Sequence, residues 1–442
     1  MRVPQAPPDF LQLMKRIVEH PSRFERVLKH GLTPLVGDRY RHWATLRRLH
    51  SPAGMNLEEW WFGIKIARQS ILRPLPLKDL SGAPFFFSVP DPAQEMLRRI
   101  DRDTSGQVLL SEHVVGEEAR DRYIVSQLMD EAISSSQLEG AATTLRVARE
   151  MIRAGRSPRN RDERMVLNNY RAMEFLRSVE GPLTVHLILD LHRQVTEGTL
   201  DPSDAGRLRD SDEVLVRDED NNVMHRPPPA AHLAPRMEAL CRFANAQESE
   251  RYVHPVVRAI LLHFWLAYDH PFVDGNGRTA RAFFYWAMRA QEYWLSEVLS
   301  ISRVLRRAPS RYARAFLYVE TDGNDVTYFV LFHLEALLRA IDDLKAHLKR
   351  KRSELRQTER LLRTSTLLNH RQLALLSHAM RHESARYTIR SHQTSHRVVY
   401  QTARSDLLEL ARRGLLIPRK VGRTFEFSRA SDLQGRLRGL EA

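Results

Sequence analysis

The sequence predicts a mainly α-helical protein with one β-hairpin in its middle and a small helical module with a two-stranded sheet near its C-terminal end. Three observations lead there. Apolar residues recur at helical spacing through most of the 442 residues. The pattern breaks mid-chain into a β-prone run around a turn cluster, over residues 211–226. Finally, Lys345–Ala442 holds 22 Lys and Arg against 8 Asp and Glu, which accounts for the chain's whole net charge of +14. Hydrophobic residues at 43% and charged residues at 28% exclude collagen-like and wholly disordered classes. The single cysteine, Cys241, excludes an intrachain disulfide. With no apolar run in Met1–Pro8, the expected setting is reducing and cytoplasmic. No stretch approaches the ~18 consecutive apolar residues of a membrane span, so no membrane partner is expected.

Taken in order, residues 9–30 read as helix through Phe10, Leu11, Met14, Ile17 and Val18. Residues 57–72 do so through Leu57, Trp60, Trp61, Ile64, Ile66 and Ala67, with the tryptophans as core. The proline-rich, aromatic stretch 73–93 reads as a surface loop. A charged helix follows from Glu117 to Gln137, and others run near 183–197, 232–246, 255–269, 277–292 and 326–363. In the non-helical run, Val214, Leu215 and Val216 are β-prone, Asp218–Asn222 form a turn, and Val223 and Met224 resume. The expected domains are an N-terminal helical region over 1–110, a central domain over 111–345, and a basic linker helix with the terminal module over 346–442.

The most informative stretch is His270-Pro271-Phe272-Val273-Asp274-Gly275-Asn276-Gly277-Arg278-Thr279-Ala280-Arg281. An apolar helix leads in and another leads out. A turn with two glycines can point successive N–H groups into one concavity, and the next helix offers its positive N-terminal end to the same anion. Arg278 and Arg281, three apart, share a helical face and suit a polyphosphate. Asp274 is a hard oxygen ligand able to bridge phosphates through Mg²⁺. His270 is the group in this run that takes a proton near pH 7. Each part singly has a structural explanation; a base, a carboxylate, an anion nest and two arginines within twelve residues are hard to explain as packing.

This run resembles the signature of Fic-domain (Fido) proteins at every defined position. The resemblance implies a helical Fic core with a β-hairpin flap, and transfer of AMP from ATP to a protein hydroxyl. It implies that His270 deprotonates that hydroxyl and that Asp274 holds Mg²⁺. It implies that Gly275, Asn276 and Gly277 line the anion hole, and that Arg278 and Arg281 hold the outer phosphates. Relatives with Lys in the place of Gly277 act as kinases, and this sequence lacks that Lys. Upstream, Ser135 to Gly140 reads alone as a helix terminus. It also resembles the Fic inhibitory motif, which implies that Glu139 pairs with Arg281 and blocks the outermost phosphate. Some relatives use the same Glu to remove AMP, so a bifunctional enzyme stays open. Gly206-Arg207-Leu208-Arg209 resembles the lead-in to the flap, which would pair with a stretch of target backbone. Tyr312 and the Thr321–Asp325 turn resemble the region bordering the adenine.

The terminal module reads as a helix (Arg371 to Met380), a short extended piece (Tyr387–Ile389), a helix from Val398 to Arg413 and two strands around Val421-Gly422-Arg423. It resembles the winged helix-turn-helix found at the C-terminus of many Fic proteins. That implies DNA contact by the 398–413 helix with Arg423 on phosphate, or alternatively dimerisation or protein docking. The expected function is a protein adenylyltransferase restrained by Glu139. Its expected partners are ATP with Mg²⁺, a target protein offering Ser, Thr or Tyr (or the chain itself), DNA, and a second copy as a homodimer. The alternative is a DNA-binding regulator whose core senses nucleotide or modifies itself.

Overall fold

The structure is a computed structural model that describes residues 2–104, 117–246, 252–293, 299–364, 367–382, 385–421 and 424–440. It divides into two compact units, residues 1–106 with 123–342 and residues 107–122 with 343–442.

The first unit opens with α1 (Phe10–Val18) and α2 (Pro21–His30), so the single helix expected over 9–30 is two. Pro21 has no N–H to continue the α1 ladder but fits the first turn of a new helix. A short α3 (Trp43–Leu46) precedes α4 (Leu57–Gln69), whose start is fixed by a reciprocal cap between Asn56 and Glu59. These helices share a core of Leu13, Ile17, Val27, Trp43, Trp61 and Phe62. The stretch read as a surface loop is instead a hairpin, β1 (Arg73–Lys78) with β2 (Pro84–Phe87), with Arg73 opposite Phe87. Its prolines hide a period of two. Leu75 and Leu77 point inward from one strand and Phe85 and Phe87 from the other, while Pro74 and Pro76 stay exposed.

Then come α5 (Asp91–Thr104), α6 (Glu117–Leu138), α7 (Leu145–Ala154), α8 (Arg161–Ser178) and α9 (Val185–Thr196). The mid-chain hairpin is β3 (Val216–Arg217) with β4 (Val223–His225), antiparallel and shorter than expected. It is followed by α10 (Leu233–Ala244), α11 (Pro255–Asp269), α12 (Asn276–Ala290), α13 (Ile301–Arg306), α14 (Pro309–Thr321) and α15 (Thr327–Thr364). Helices α11 and α12 are buried almost all round and pack on each other, which makes them the centre of the unit. The turn between them is therefore held by rigid elements on both sides.

The second unit contains α16 (His370–Arg381), β5 (Arg386–Thr388), α17 (Ile389–His396), α18 (Tyr400–Arg412), β6 (Leu416–Val421), β7 (Thr424–Arg429) and α19 (Leu433–Leu440). The expected two-stranded sheet has a third strand, in the antiparallel order β5-β7-β6, because the short extended piece pairs Tyr387 with Phe427. Arg397, at φ +50°, separates α17 from α18. Leu376, Leu407, Leu410, Leu416 and Phe427 form the core. Asp406 is a buried hub: it accepts from Arg371 Nε at 2.7 Å and Asn369 Nδ2 at 2.8 Å, and it lies 3.1 Å from His392 Nε2. Gly422 and Arg423 lie outside the described residues. Among the described residues no helix is long and apolar enough to cross a membrane.

Candidate active site

The geometry begins with backbone. At the end of α11 the chain turns at His270, which adopts φ +45°, ψ +55° while its N–H still bonds Leu266 O at 3.1 Å. Phe272 is then driven fully into the core. Asn276 closes the loop: its Oδ1 accepts from Phe272 N at 2.9 Å and its Nδ2 donates to Phe272 O at 2.8 Å. The Asn276 side chain is thus spent inside the loop, and what it offers an anion is its backbone N–H. Gly275 sits at φ +82°, and a Cβ there would lie 2.7 Å from Thr196 Cγ2, so only glycine fits. Gly275 also cannot cap α12 with a side chain. The N–H groups of Asn276, Gly277 and Arg278 therefore have no acceptor within the helix and stand at its positive end.

His270 brings an imidazole. Its Nδ1 is 3.3 Å from Ala267 O, and a carbonyl only accepts, so the proton belongs on Nδ1 and Nε2 keeps its lone pair. Burial pushes the imidazole down to about 4, so it is neutral at pH 7. Arg209 ties the surrounding chain together. Its backbone N–H bonds Pro271 O at 2.9 Å, its Nε donates to His270 O at 3.0 Å, and its Nη atoms donate to Ser211 O and Pro228 O.

The charged groups sit on the α12 side. Arg278 is fully buried and donates to Val195 O at 2.9 Å through Nη1, while Nε and Nη2 make no hydrogen bond. Nη2 lies 3.6 Å from Asp274 Oδ2. Unsatisfied buried guanidinium donors beside an amide-lined turn are groups an incoming oxyanion would satisfy. Arg281 is buried too: Nε donates to Ser135 Oγ and Nη2 to Ser135 O, each at 2.9 Å, and Nη2 also reaches Glu139 Oε1 at 2.8 Å. Glu139 and Arg281, expected to pair, are paired. The carboxylate also lies over the helix start: a Cβ built on Gly277 would be 2.1 Å from Glu139 Oε1. Gly140, at φ +90°, turns the chain away immediately after it.

Asp274 is half-exposed. Its Oδ1 accepts from Gly275 N at 2.6 Å, and its Oδ2 from Arg161 Nη2 at 3.2 Å. Among the described residues no three His, Cys, Asp or Glu side chains converge as a metal site. One carboxylate suits a magnesium ion that arrives with phosphates and completes its shell from them.

Sequence reasoning missed His192. It stacks on Phe272 at 3.7 Å between ring centres and 4° between planes. Its Nδ1 accepts from Gly206 N at 3.0 Å, so Nε2–H donates to Asp274 O at 2.8 Å. Burial pushes this imidazole down to about 4, which preserves the donor–acceptor pattern. It also missed Arg161, and His225, through which β4 is bonded to Tyr268 O at 2.7 Å and paired with Glu320 at 2.9 Å. His192 stands 82 residues before its partner Asp274, and no spacing rule links them. Tyr312 lies against Arg281 and His263. In the Thr321–Asp325 turn the acidic side chains are taken up by a buried network. Asp322 accepts from Lys65 at 2.8 Å and Tyr328 at 2.6 Å, and Asp325 accepts from Tyr40 at 2.6 Å.

Residues 182–288, which span α9, the β3–β4 hairpin, α10, α11 and most of α12, match the Fic/DOC family. Over 197 residues the chain is 32% identical to the protein adenylyltransferase Fic of Nematostella vectensis, covering 42% of this chain and 43% of that protein. Over 99 residues it is 41% identical to the protein adenylyltransferase Fic of Drosophila melanogaster, covering 22% and 18%. The chain thus spans less than half the length of these curated relatives. The crystal structure of a Fic family protein from Desulfovibrio desulfuricans G20 superposes with a TM-score of 0.54 at 19% identity, over 78% of this chain and 98% of that one, which shows a shared fold.

Proposed function

We propose that this protein is a Fic-type protein adenylyltransferase that transfers AMP from ATP to a hydroxyl of a protein and is restrained by Glu139. The single observation that carries the reading is the convergence at one turn of a neutral imidazole with a bare Nε2, uncapped helix amides, and Arg278 with two unsatisfied donors. In this reading the amides of Asn276 and Gly277 hold phosphate oxygens, and Arg278 and Arg281 hold the outer phosphates. His270 Nε2 removes the hydroxyl proton as that oxygen attacks the α-phosphorus, and pyrophosphate leaves. Asp274 would hold Mg²⁺, which neutralises phosphate charge when bound. Glu139 occupies Arg281 and the space over Gly277, so the outermost phosphate has nowhere to sit. The β3–β4 hairpin, tied to α11 through His225, would present the target backbone.

The test compares Glu139→Gly with Glu139→Gly/His270→Ala in labelled ATP. Label is expected on protein with the first and none with the second, and equal labelling would falsify the enzymatic reading.

For residues 367–440 we propose a winged helix-turn-helix that binds DNA. The order helix, strand, helix, helix and hairpin supports this, as do the exposed Gln401, Arg404 and Ser405 on α18. Duplex binding is expected to weaken steeply with salt and to vanish on deleting residues 364–442; a flat salt response counts against it.

A further inference from the structure

Arg281 has a support that is independent of Glu139. Besides its bonds to Ser135, its guanidinium lies beside the hydroxyl of Tyr312 on α14, close enough for the two to interact electrostatically. Tyr312 Oη lies 3.0 Å from Nε2 of His263 on α11. His263 meets His333 of α15 edge-on, with 4.9 Å between ring centres and 85° between planes. His333 Nδ1 is 3.0 Å from Phe329 O. Both histidines are fully buried, and His263 Nδ1 and His333 Nε2 have no hydrogen-bond partner.

Valence sets the direction of this run. A carbonyl only accepts, so His333 carries its proton on Nδ1 and presents a bare Nε2. The Arg281 cation attracts the lone pairs of the Tyr312 oxygen and repels its proton, so the hydroxyl turns its O–H to His263 Nε2. His263 then keeps its proton on Nδ1, and the two unpartnered nitrogens are a complementary donor and acceptor. Burial holds His263 well below the usual range and takes His333 to about 3, so neither ring protonates near neutrality and the direction persists. The Tyr312 phenol, raised to about 12, keeps its proton as well.

We propose that Tyr312, aligned by His263, is a positioning residue for Arg281: it holds the guanidinium once Glu139 leaves and so sets the affinity for the terminal phosphate of a nucleoside triphosphate. This rests on the nucleotide reading above. Ser135 fixes the guanidinium from α6. With Tyr312 fixing it from a second helix, release of the carboxylate frees a donor without freeing the fork to swing.

The test measures calorimetric binding of ATP and of AMP, with Mg²⁺, to the full chain carrying Glu139→Gly, alongside the thermal midpoint. Adding Tyr312→Phe, which removes one hydroxyl, is expected to weaken ATP about tenfold and to leave AMP within about twofold. His263→Leu follows the same pattern, and His263→Gln, which restores an acceptor, regains most of the affinity. Equal weakening of ATP and AMP would assign Tyr312 to the nucleoside and overturn the proposal. So would an unchanged ATP affinity in folded Tyr312→Phe. If Tyr312→Phe does not fold, the His263 pair decides, and equal ATP affinity of Gln and Leu overturns it. A Glu139→Gly parent that binds neither nucleotide sinks the nucleotide reading itself, and this proposal with it.

Discussion

His270 is half-buried in the turn, with its Nε2 lone pair left open. Its backbone takes the left-handed conformation that usually goes to glycine or asparagine, and Arg209 and the Leu266 carbonyl hold it there. Burial lowers its pKa to about 4, so the imidazole is already neutral well below pH 7. A group whose pKa falls from the usual 6.5 to about 4 gives an acid limb near pH 4 and a flat rate between about pH 6 and 8. The rate of label transfer by Glu139→Gly, followed from pH 4 to 8, checks this; an acid limb near 6.5 would refute it. His192 orders the same turn from another helix. It clamps the carbonyl of Asp274 and stacks on Phe272, so two neutral imidazoles from different helices define one loop.

At the scale of elements, the α11–turn–α12 unit was legible because its evidence is local: helical periodicity on both sides and special residues between. The Glu139–Arg281 pair lies 142 residues apart in sequence and was reached through a motif resemblance rather than through periodicity. The β1–β2 hairpin was not legible. Pro74, Pro76 and Pro84 carry the composition of a loop, whereas the deciding fact, Phe85 and Phe87 packing inward opposite Leu75 and Leu77, depends on a core that assembles from distant helices. The third strand of the terminal sheet escaped for a related reason, since three residues show no period until Phe427 lies beside them. In that unit Asp406 joins the start of α16 to α17 and α18. Removing a buried carboxylate with several partners strands their donors, at a cost of about 3 kcal/mol. Asp406→Ala in the full chain is therefore expected to speed amide exchange across residues 370–437 and to leave α11 and α12 unaffected.

Across the whole molecule, buried histidines make acid the vulnerable direction. His42 and His192 are each pushed down to about 4, and both are at most 1% exposed. Between about 4 and the usual 6.5 the unfolded chain binds protons that the folded chain refuses, so stability rises with pH through that window and falls on acidification. Each group contributes at most about 3 kcal/mol. The thermal midpoint is expected to hold steady above about pH 7 and to drop progressively toward pH 4; His192→Asn should flatten part of the slope, and an unchanged slope would contradict the assignment. The concentration of positive charge after Lys345 has a different range of action. It acts at longer range, attracting polyanions such as the proposed DNA partner, and is screened by salt.

The near-contact between Gly277 and Glu139 has an evolutionary corollary. A methyl group at 277 would have to share its volume with the carboxylate oxygen. A side chain there would therefore displace the Glu139 carboxylate and, with the same atoms, crowd the amides at the start of α12. If the proposed function holds, variants of this chain that lose restraint while keeping adenylyl transfer are expected to change at Glu139 or Ser135 rather than at Gly277.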